Sequence, residues 1–434
     1  MNRSRSLKSR PPGILLTTLG VVAALAGAGA QADGLADLFD GQLPNNFPFL
    51  NGAGTAATFS TAGFVDLTNQ FHVPQGTNGR SCESCHLPQV GWSIRPVDVE
   101  LKFLLTQGND PIFNPQDANS PTPDVSSLQA KRASYSMLRK GLFRRGGAIP
   151  AAGEFFIASF DDPLGAGASS TTVQAYRRPL ATANFHIAMN IGWHDQNTNG
   201  SGNVFQGLKT QADGNIKGGQ EGAPPTDDTL NSIANYELGL AFAQQLSFSA
   251  GLLNVCGAKG GPENLSAQTQ VKGPFDLFDA WRDLKPGSCG IKAVDRKRAQ
   301  IARGQDVFNS AGCNGCHNAA NNGSNVDGKL FDIHASRVQF RKPGMPLYTM
   351  QNKQTGETRE TTDPGRALRS GKWADMDRFK VPSLRGISAR APYFHNGIAA
   401  NLDEVVSHYE AELGFTFDER PGDRAALIAF LEAL

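Results

Sequence analysis

Two short stretches of the chain combine cysteine and histidine at a spacing that can attach a haem. The first is Cys82-Glu-Ser-Cys85-His86, and the pattern recurs in the second half as Cys313-Asn-Gly-Cys316-His317. In such a run the two thiols can bond the vinyl groups of one haem, and the adjoining histidine can bind its iron. Each motif therefore predicts one covalently bound haem c.

A four-thiolate zinc site is the alternative interpretation of two Cys-x-x-Cys pairs. Paired zinc knuckles usually lie about 15–20 residues apart, whereas these two pairs belong to different halves of the chain. A histidine also directly follows each pair, which a four-thiolate site does not need. We therefore expect two haems rather than zinc, and the sequence gives no support to a dinucleotide site.

The chain is long enough to hold two haem domains. It has 434 residues, of which 39% are hydrophobic, with 48 glycines and 25 prolines. This length exceeds the usual size of one domain, and the glycines and prolines indicate many loops. Because helices can pack against both porphyrin faces, we predict a mainly α fold of two c-type cytochrome-like haem domains with long irregular loops. We place the N-terminal haem domain at residues 33–248 and the C-terminal haem domain at 249–434, with the boundary after a helix predicted over 233–246.

The first 32 residues have the features of an export signal. Basic residues precede an apolar run at positions 14–26, and small residues around Ala30 offer a cleavage site. The run is short for a membrane span, although an uncleaved anchor is the alternative. We therefore assign residues 1–32 to a signal peptide and expect a mature periplasmic protein without a membrane span. The formal net charge of +1 gives no indication of nucleic-acid binding.

Two cysteines, Cys256 and Cys289, lie outside the haem motifs. An exported chain can form disulfides, and this bridge would close a loop of about thirty residues, worth roughly 3 kcal/mol in chain entropy. We expect the bridge, with two separate buried thiols as the alternative.

Further motifs follow one another in a fixed order. The first half contains Arg178-Pro179 with Asn184, Trp193-His194-Asp195-Gln196, Gln211-Ala212 and Glu221; the second contains Asp363-Pro-Gly-Arg366, Ala391-Pro-Tyr-Phe-His395-Asn-Gly397 and Leu402-Asp-Glu-Val-Val406. This order resembles that of the bacterial di-haem cytochrome c peroxidases and their relative MauG. The resemblance covers most of the chain from Asn78 onward, and the segment between Gly91 and Arg177 goes beyond the classical peroxidases.

The resemblance implies a periplasmic di-haem oxidoreductase that reduces hydrogen peroxide with electrons relayed between two covalent haems. Its electron donor would be a small periplasmic protein such as a cytochrome c or a cupredoxin. MauG-like, peroxide-dependent oxidation of a protein or small molecule is one alternative, and a non-catalytic electron-transfer cytochrome is the other. The resemblance leaves homodimer formation open.

Peroxide cleavage requires an open iron face, a base for a peroxide proton and a donor that stabilises the departing hydroxide. The resemblance assigns Gln211 and Glu221 to this pocket and makes Trp193 an electron relay between the haems. Where the peroxidases have Trp-Asp-Gly-Arg, this chain has Trp193-His194-Asp195-Gln196, so the pocket geometry is expected to differ. The next histidine after His86 is His186, so we expect no distal-histidine loop of the kind many family members have.

The resemblance also places the ligand of the second iron seventeen residues after Pro392, where this chain has Tyr409. The peroxidases have methionine there and MauG has tyrosine. Methionine is a soft ligand that raises the iron potential, whereas phenolate is a hard donor that favours the oxidised metal. We predict Tyr409, with alternatives at His408, Met345, Met350 and Met376.

A calcium ion commonly lies between the haems in this family. The matching positions are Asn184 and, through main-chain oxygens, Arg390 and Pro392. Arg390 replaces the usual threonine. A main-chain ligand tolerates that change, but a neighbouring cation disfavours calcium.

Overall fold

A computed structural model describes residues 32–434. The predicted signal peptide lies outside the described residues, apart from its last position. Across residues 32–434, no helix combines the length and the apolar character that a membrane crossing requires.

The described chain mixes α and β structure, so the prediction of a mainly α fold is wrong. Helices make up 32% of the structure and strands 17%. The strands form five small sheets of two to four strands each. Loops that pack against a core must pair their backbone amides and carbonyls, and short antiparallel ladders satisfy them where helices are absent.

The helices of the described residues are mostly short. They are α1 (Ala32–Leu38), α2 (Pro96–Thr106), α3 (Leu128–Ser134), α4 (Val204–Gly214), α5 (Asp227–Gly239), α6 (Pro262–Ser266), α7 (Lys292–Ser310), α8 (Ala367–Ser370), α9 (Leu402–Leu413) and α10 (Asp423–Glu432). A π-helical turn at Asn215–Gly219 continues α4, and single 3-10 turns, among them Cys313–Gly315, connect other elements.

The strands alternate with these helices along the chain. They are β1 (Gln42–Pro44), β2 (Phe49–Asn51), β3 (Gly54–Ser60), β4 (Phe64–Asp66), β5 (Phe143–Ala148), β6 (Phe155–Asp161), β7 (Thr172–Arg177), β8 (Leu240–Ser247), β9 (Gly251–Leu252), β10 (Leu330–Phe331), β11 (Leu347–Asn352), β12 (Thr358–Thr361) and β13 (Phe379–Lys380).

The largest sheet has the strand order β2-β3-β8-β9. Strands β3 and β8 pair antiparallel, with Ala57 opposite Ala243. The helix predicted over 233–246 therefore ends at Gly239, and the chain continues as a strand whose residues 240–244 are all buried. Pairing with β3 stabilises this segment as a strand, which shows how tertiary contacts override a local helical preference.

A three-stranded sheet joins the segment between Gly91 and Arg177 to the second half of the chain. Strand β6 of that segment pairs antiparallel with β11, which in turn pairs with β12. The hydroxyl of Tyr348 on β11 accepts from the Gln174 amide at 2.7 Å and donates to its carbonyl at 2.9 Å. These contacts attach the additional segment to the part of the chain that follows the second haem motif.

The second half has its own apolar core, in which α7 and α10 pack closely. Phe308 of α7 and Phe430 of α10 meet edge to face, and both helices lie close to Trp281 and Phe278. Gly304 makes the approach possible, since a Cβ there would lie 1.9 Å from the carbonyl oxygen of Ala426. A second core in the first half surrounds Trp92.

The disulfide prediction is confirmed. Cys256 and Cys289 are bridged, with their Cα atoms 6.2 Å apart. The bridge links the segment that follows β9 to the segment that precedes α7. Nearby, the Asp295 carboxylate accepts from the Cys289 amide and pairs with Arg298, which fixes the start of this helix.

Candidate haem-binding cavities

The two Cys-x-x-Cys-His motifs lie in two different cavities. The first cavity, of about 660 Å³, is lined by Cys82, Cys85 and His86. The second cavity, of about 260 Å³, is lined by the corresponding residues Cys313, Cys316 and His317. Each cavity therefore brings two thiols and one imidazole to the same wall, which is the donor set that a covalent haem c requires.

Backbone carbonyl groups orient both motif histidines. The Nδ1–H of His86 donates to the Trp92 carbonyl at 3.0 Å, and that of His317 donates to the Gly323 carbonyl. A histidine that ligates a metal commonly donates its other ring nitrogen in this way, which fixes the tautomer with Nε2 as the ligating atom.

Burial keeps both rings neutral. It lowers the pKa of His86 to about 4, although hydrogen bonds with the backbone of Trp92 and Leu180 act in the opposite direction. It likewise lowers the pKa of His317 to about 4, against the effect of the Gly323 carbonyl. A neutral imidazole can bind iron without first losing a proton.

The motif cysteines are shielded thiols. Burial raises the pKa of Cys85 to about 11 and that of Cys313 to about 12, and it raises the pKa of Cys82 and Cys316 as well. The four thiols are therefore protonated at neutral pH. Together with the oriented histidines and the largely apolar walls of the second cavity, they fit a covalently held haem at each motif.

Trp193 lies between the two cavities and lines both of them. Its indole Nε1–H donates to the Arg178 carbonyl at 2.6 Å, which fixes the ring. Its ring meets that of His395 edge to face, with centroids 6.2 Å apart. The structure thus places this residue where the resemblance predicts a relay, and its role stays a prediction.

A buried cluster of charged side chains lies near Trp193. Arg177 and Asp363 form an ion pair at 2.6 Å, and their mutual attraction holds the pKa of Asp363 at about 2 against the effect of burial. His194, which replaces the aspartate of the family motif, bonds Arg177 through Nδ1 and lines the first cavity. Burial and the Arg177 charge lower its pKa to about 3, so it is a neutral acceptor.

The structure separates the two residues predicted for the peroxide pocket. Gln211, on α4, lines the first cavity. Glu221 is exposed, has a left-handed backbone with φ +58°, and accepts a hydrogen bond from the Asn114 side chain at 3.2 Å. It is not among the residues that line either described cavity, so its assignment to the pocket stays a prediction.

Two residues that the sequence did not predict, Gln220 and Glu237, line the first cavity. Gln220 is 1% exposed, and its Nε2 lies 3.9 Å from the Cys82 sulfur. Glu237, at the end of α5, is also 1% exposed, and within the described residues its Oε2 has no hydrogen-bond partner. Burial raises the pKa of Glu237 well above its usual range, which favours the protonated carboxyl. The sequence carries no periodic signal that marks a single buried glutamate on a helix.

Tyr409, on α9, lines the second cavity together with His317. Burial raises its pKa, and the neighbouring thiols of Cys313 and Cys316 act in the same direction. Its neighbour His408 instead directs Nε2 to the Ile333 carbonyl at 2.7 Å and packs against Phe394.

The methionine alternatives lie elsewhere. Met345 is buried beside Met137, while Met350 and Met376 share another apolar cluster with Tyr348. Of the five residues considered for the second iron, Tyr409 alone lines the described cavity that holds His317. Met189 is a further thioether on that wall.

The proposed calcium ligands reach the second cavity but have other partners. Asn184 is buried with φ +65°, and its side-chain amide bonds the Phe242 backbone at 2.8 and 3.0 Å. The Arg390 carbonyl accepts from the Arg178 guanidinium at 3.4 Å. Two cationic side chains therefore adjoin the position, which fits a calcium ion poorly.

Known proteins support the resemblance. The chain is 31% identical over 154 residues to cytochrome-c peroxidase IdrP2 of Denitromonas iodatirespirans, a match that covers 31% of this chain and 40% of that protein. It is 24% identical over 217 residues to the methylamine utilization protein MauG of Paracoccus denitrificans, covering 46% of this chain and 55% of that protein. These relatives are a cytochrome c peroxidase and MauG, so the predicted resemblance is confirmed.

These matches are partial. The chain spans about half the length, or less, of the curated relatives that it matches. No family model matches the chain. A solved MauG-like protein associated with microbial copper homeostasis covers 60% of this chain, with 74% of its own length aligned, 15% sequence identity and a TM-score of 0.33.

Proposed function

We propose that this protein is a di-haem oxidoreductase that reduces hydrogen peroxide with electrons relayed between two covalently bound haems. The observation that carries the proposal is the arrangement of two cavities, each lined by one Cys-x-x-Cys-His motif, on either side of Trp193. Zinc-binding and dinucleotide-binding proteins do not require two such separated sites.

When bound, the haems supply the redox chemistry, and the chain supplies orientation and proton transfer. The motif histidines hold one face of each site, with Nδ1 anchored to a backbone carbonyl. In the first cavity, which Gln211 and Glu237 both line, we assign the Gln211 amide the role of donating a hydrogen bond to peroxide. We assign Glu237, whose burial favours the protonated carboxyl, the role of general acid that delivers a proton to the departing hydroxide.

Electrons reach the first cavity from the second through Trp193. The indole is fixed by its bond to Arg178 and by its contact with His395. A rigid aromatic ring that lines both cavities divides the electron path between the two redox centres into two shorter steps. We retain the division into a peroxidatic domain at residues 33–248 and an electron-transfer domain at 249–434 as part of this proposal.

A second candidate function is the MauG-like oxidation of a protein or small molecule. Tyr409 is the observation that favours it, because this phenol lines the cavity that contains His317. A tyrosinate ligand would stabilise the oxidised iron, whereas methionine would favour the acceptance of electrons from a donor protein.

Location and partners belong to the same proposal. We infer export to the periplasm from the predicted signal peptide, and a small cytochrome c or cupredoxin as electron donor. The disulfide between Cys256 and Cys289 supports an oxidising compartment, because such bridges persist outside the reducing cytosol. Size-exclusion chromatography with light scattering would distinguish a monomer from a homodimer.

The test begins with the purified protein matured with haem. Its mass and haem content should correspond to two covalent haems, and Cys82→Ala/Cys85→Ala and Cys313→Ala/Cys316→Ala should each lose one. Peroxide should oxidise a reduced small cytochrome c only when both haems are present. Cyanide should bind rapidly to one haem, because one iron must be open.

The opposite results would refute the proposal. Two haems that both resist cyanide, with no peroxide-dependent oxidation, would identify a non-catalytic electron-transfer cytochrome. Peroxide consumption that requires a bound protein or small molecule and not a donor cytochrome would favour the MauG-like function.

A further inference from the structure

Two arginines that line the second cavity with Trp193 form no ion pair with a carboxylate within residues 32–434. Arg178 is 4% exposed; its Nη1 donates to the Gly141 carbonyl at 3.1 Å and its Nη2 to the Arg390 carbonyl at 3.4 Å. Arg390 donates through Nη2 to the Ser383 carbonyl at 3.1 Å. Its Nη1 is buried and, among the residues that the structure describes, has no hydrogen-bond partner. Both side chains line the second cavity.

Other buried arginines of this chain are satisfied. Arg80 pairs with Asp117 at 2.7 Å, and Arg177 pairs with Asp363. Arg385 has no carboxylate either, but its guanidinium donates to three backbone carbonyls at 2.8 to 3.2 Å. A buried cation with an unsatisfied donor is costly, because desolvation of a charge is repaid only by a partner. The unsatisfied donor of Arg390 therefore indicates a site for an anion.

We propose that Arg178 and Arg390 form a fixed cationic site, built to receive a haem carboxylate, in the position that calcium has in the resembling proteins. A haem carries two propionate carboxylates, and a guanidinium offers such groups charge-assisted hydrogen bonds. The inference rests on the proposed binding of haem in the second cavity.

The same geometry argues against calcium at this position. The Asn184 side chain is committed to the Phe242 backbone, and the Arg390 carbonyl already accepts from Arg178. A divalent ion would therefore have to displace one guanidinium while remaining close to the other. The Arg390 side chain provides at this position the positive charge that the resemblance assigns to a calcium ion. That charge does not depend on free calcium.

A fixed positive charge beside a haem stabilises its reduced form, because reduction adds a negative charge nearby. Loss of the charge should therefore lower the reduction potential of the second haem more than that of the first. Arg390 and Trp193 line the same cavity, so the charge also lies near the proposed electron path.

The experiment compares the haem-loaded wild-type protein with Arg390→Gln, Arg390→Lys and the surface control Arg420→Gln. Spectroelectrochemical titration should show a lower second-haem potential in Arg390→Gln, near-native potentials in Arg390→Lys, and no change in Arg420→Gln. Elemental analysis should find no stoichiometric calcium in the wild-type protein, and EGTA should change neither its haem spectrum nor its potentials.

Three outcomes would overturn the inference. These are a stoichiometric calcium whose removal shifts the second-haem spectrum, equal potentials in Arg390→Gln and Arg420→Gln, or a second-haem potential in Arg390→Lys lowered as far as in Arg390→Gln. The EGTA and calcium measurements on the wild-type protein decide the question even where Arg390→Gln fails to fold. A protein that matures without haem would overturn the proposed function as well, whereas a haem-loaded protein with unchanged potentials would overturn this inference alone.

Discussion

At the scale of single residues, the carboxyl group of the first cavity decides how peroxide is cleaved. Glu237→Gln should retain both haems and slow peroxide turnover by about 10²- to 10⁴-fold, the usual contribution of positioned acid–base catalysis. The substitution keeps the size of the side chain and replaces the ionisable carboxyl group with an amide. Stopped-flow oxidation of a reduced cytochrome by peroxide measures the effect.

Glu221→Gln is the matched variant. Because Glu221 is exposed and bonded to Asn114, we expect its turnover to remain within about threefold of the wild type, as is usual for surface substitutions. The reverse result, with a large loss in Glu221→Gln and none in Glu237→Gln, would return the catalytic role to the residue that the family spacing predicts.

Tyr409 decides between two chemistries at the second iron. Tyr409→Phe should alter the low-spin haem spectrum and leave cyanide binding at the first haem intact, because the phenol lines only the second cavity of the two. Electron paramagnetic resonance of the resting protein measures both sites. His408→Ala and Met345→Leu are controls, since both side chains lie outside that cavity. Loss of the same signal in either control, or an unaltered spectrum in Tyr409→Phe, would place the ligand elsewhere.

The residue-level predictions for the two haem motifs depend on local geometry. A Cys-x-x-Cys-His run fixes its own side chains within about one turn of chain, so the sequence alone places the thiols and histidine together. Glu237 could not be found in this way, because its burial depends on how α5 packs over a cavity formed by distant segments. Glu221 follows a family spacing and is exposed in a left-handed backbone conformation, and its assignment to the pocket stays a prediction.

At the scale of elements, the protein contains more β-structure than the sequence patterns predict. Residues 33–80 show no sustained periodicity in the sequence, yet they contain β1 to β4. Strand β3 pairs with its neighbour β2 on one side, but its other partner is β8, which lies almost two hundred residues later in the chain. Period-two patterns in such short strands are too brief to be recognised before the partner is known.

The disulfide provides an element-scale prediction. Cys256→Ser/Cys289→Ser should lower the free energy of unfolding by roughly 3 kcal/mol, because the open loop gains conformational entropy in the unfolded state. Denaturant titration followed by tryptophan fluorescence measures the change. Both haems should remain bound, since the bridge lies outside both cavities. Equal midpoints in the variant and the oxidised wild type would show that the bridge does not restrict the unfolded chain.

At the scale of the whole molecule, the two halves meet around one polar cluster. Arg177 of the first half pairs with Asp363 of the second, and His395 lies 3.9 Å from the same carboxylate. Trp193 completes the contact, with one cavity on each side. The distances between these residues depend on folding of both halves, which local patterns do not contain.

His395 makes the stability of this contact depend on pH. The residue is 2% exposed and stacks on Phe379, and burial with the Arg177 charge lowers its pKa to about 4 despite Asp363. In the unfolded chain its pKa is about 6.5, so between these values the unfolded state binds a proton that the folded state does not. The unfolding free energy should therefore fall as the pH decreases from about 6.5 to about 4, by roughly 3 kcal/mol from this residue, and the contribution should be complete below that range.

His395→Phe preserves the stacked ring and removes the titrating group, so its unfolding free energy should fall less steeply over the same pH range. Denaturant titrations at pH 7.5, 6.0, 5.0 and 4.0 would measure the two slopes. Ser336→Ala is the control, because it removes the hydroxyl 3.3 Å from the His395 Nε2 but keeps the imidazole, and it should retain the wild-type slope. If His395→Phe and the wild type lost stability equally with falling pH, the acid sensitivity would originate in another group, and the contact between the halves would hold without a neutral histidine.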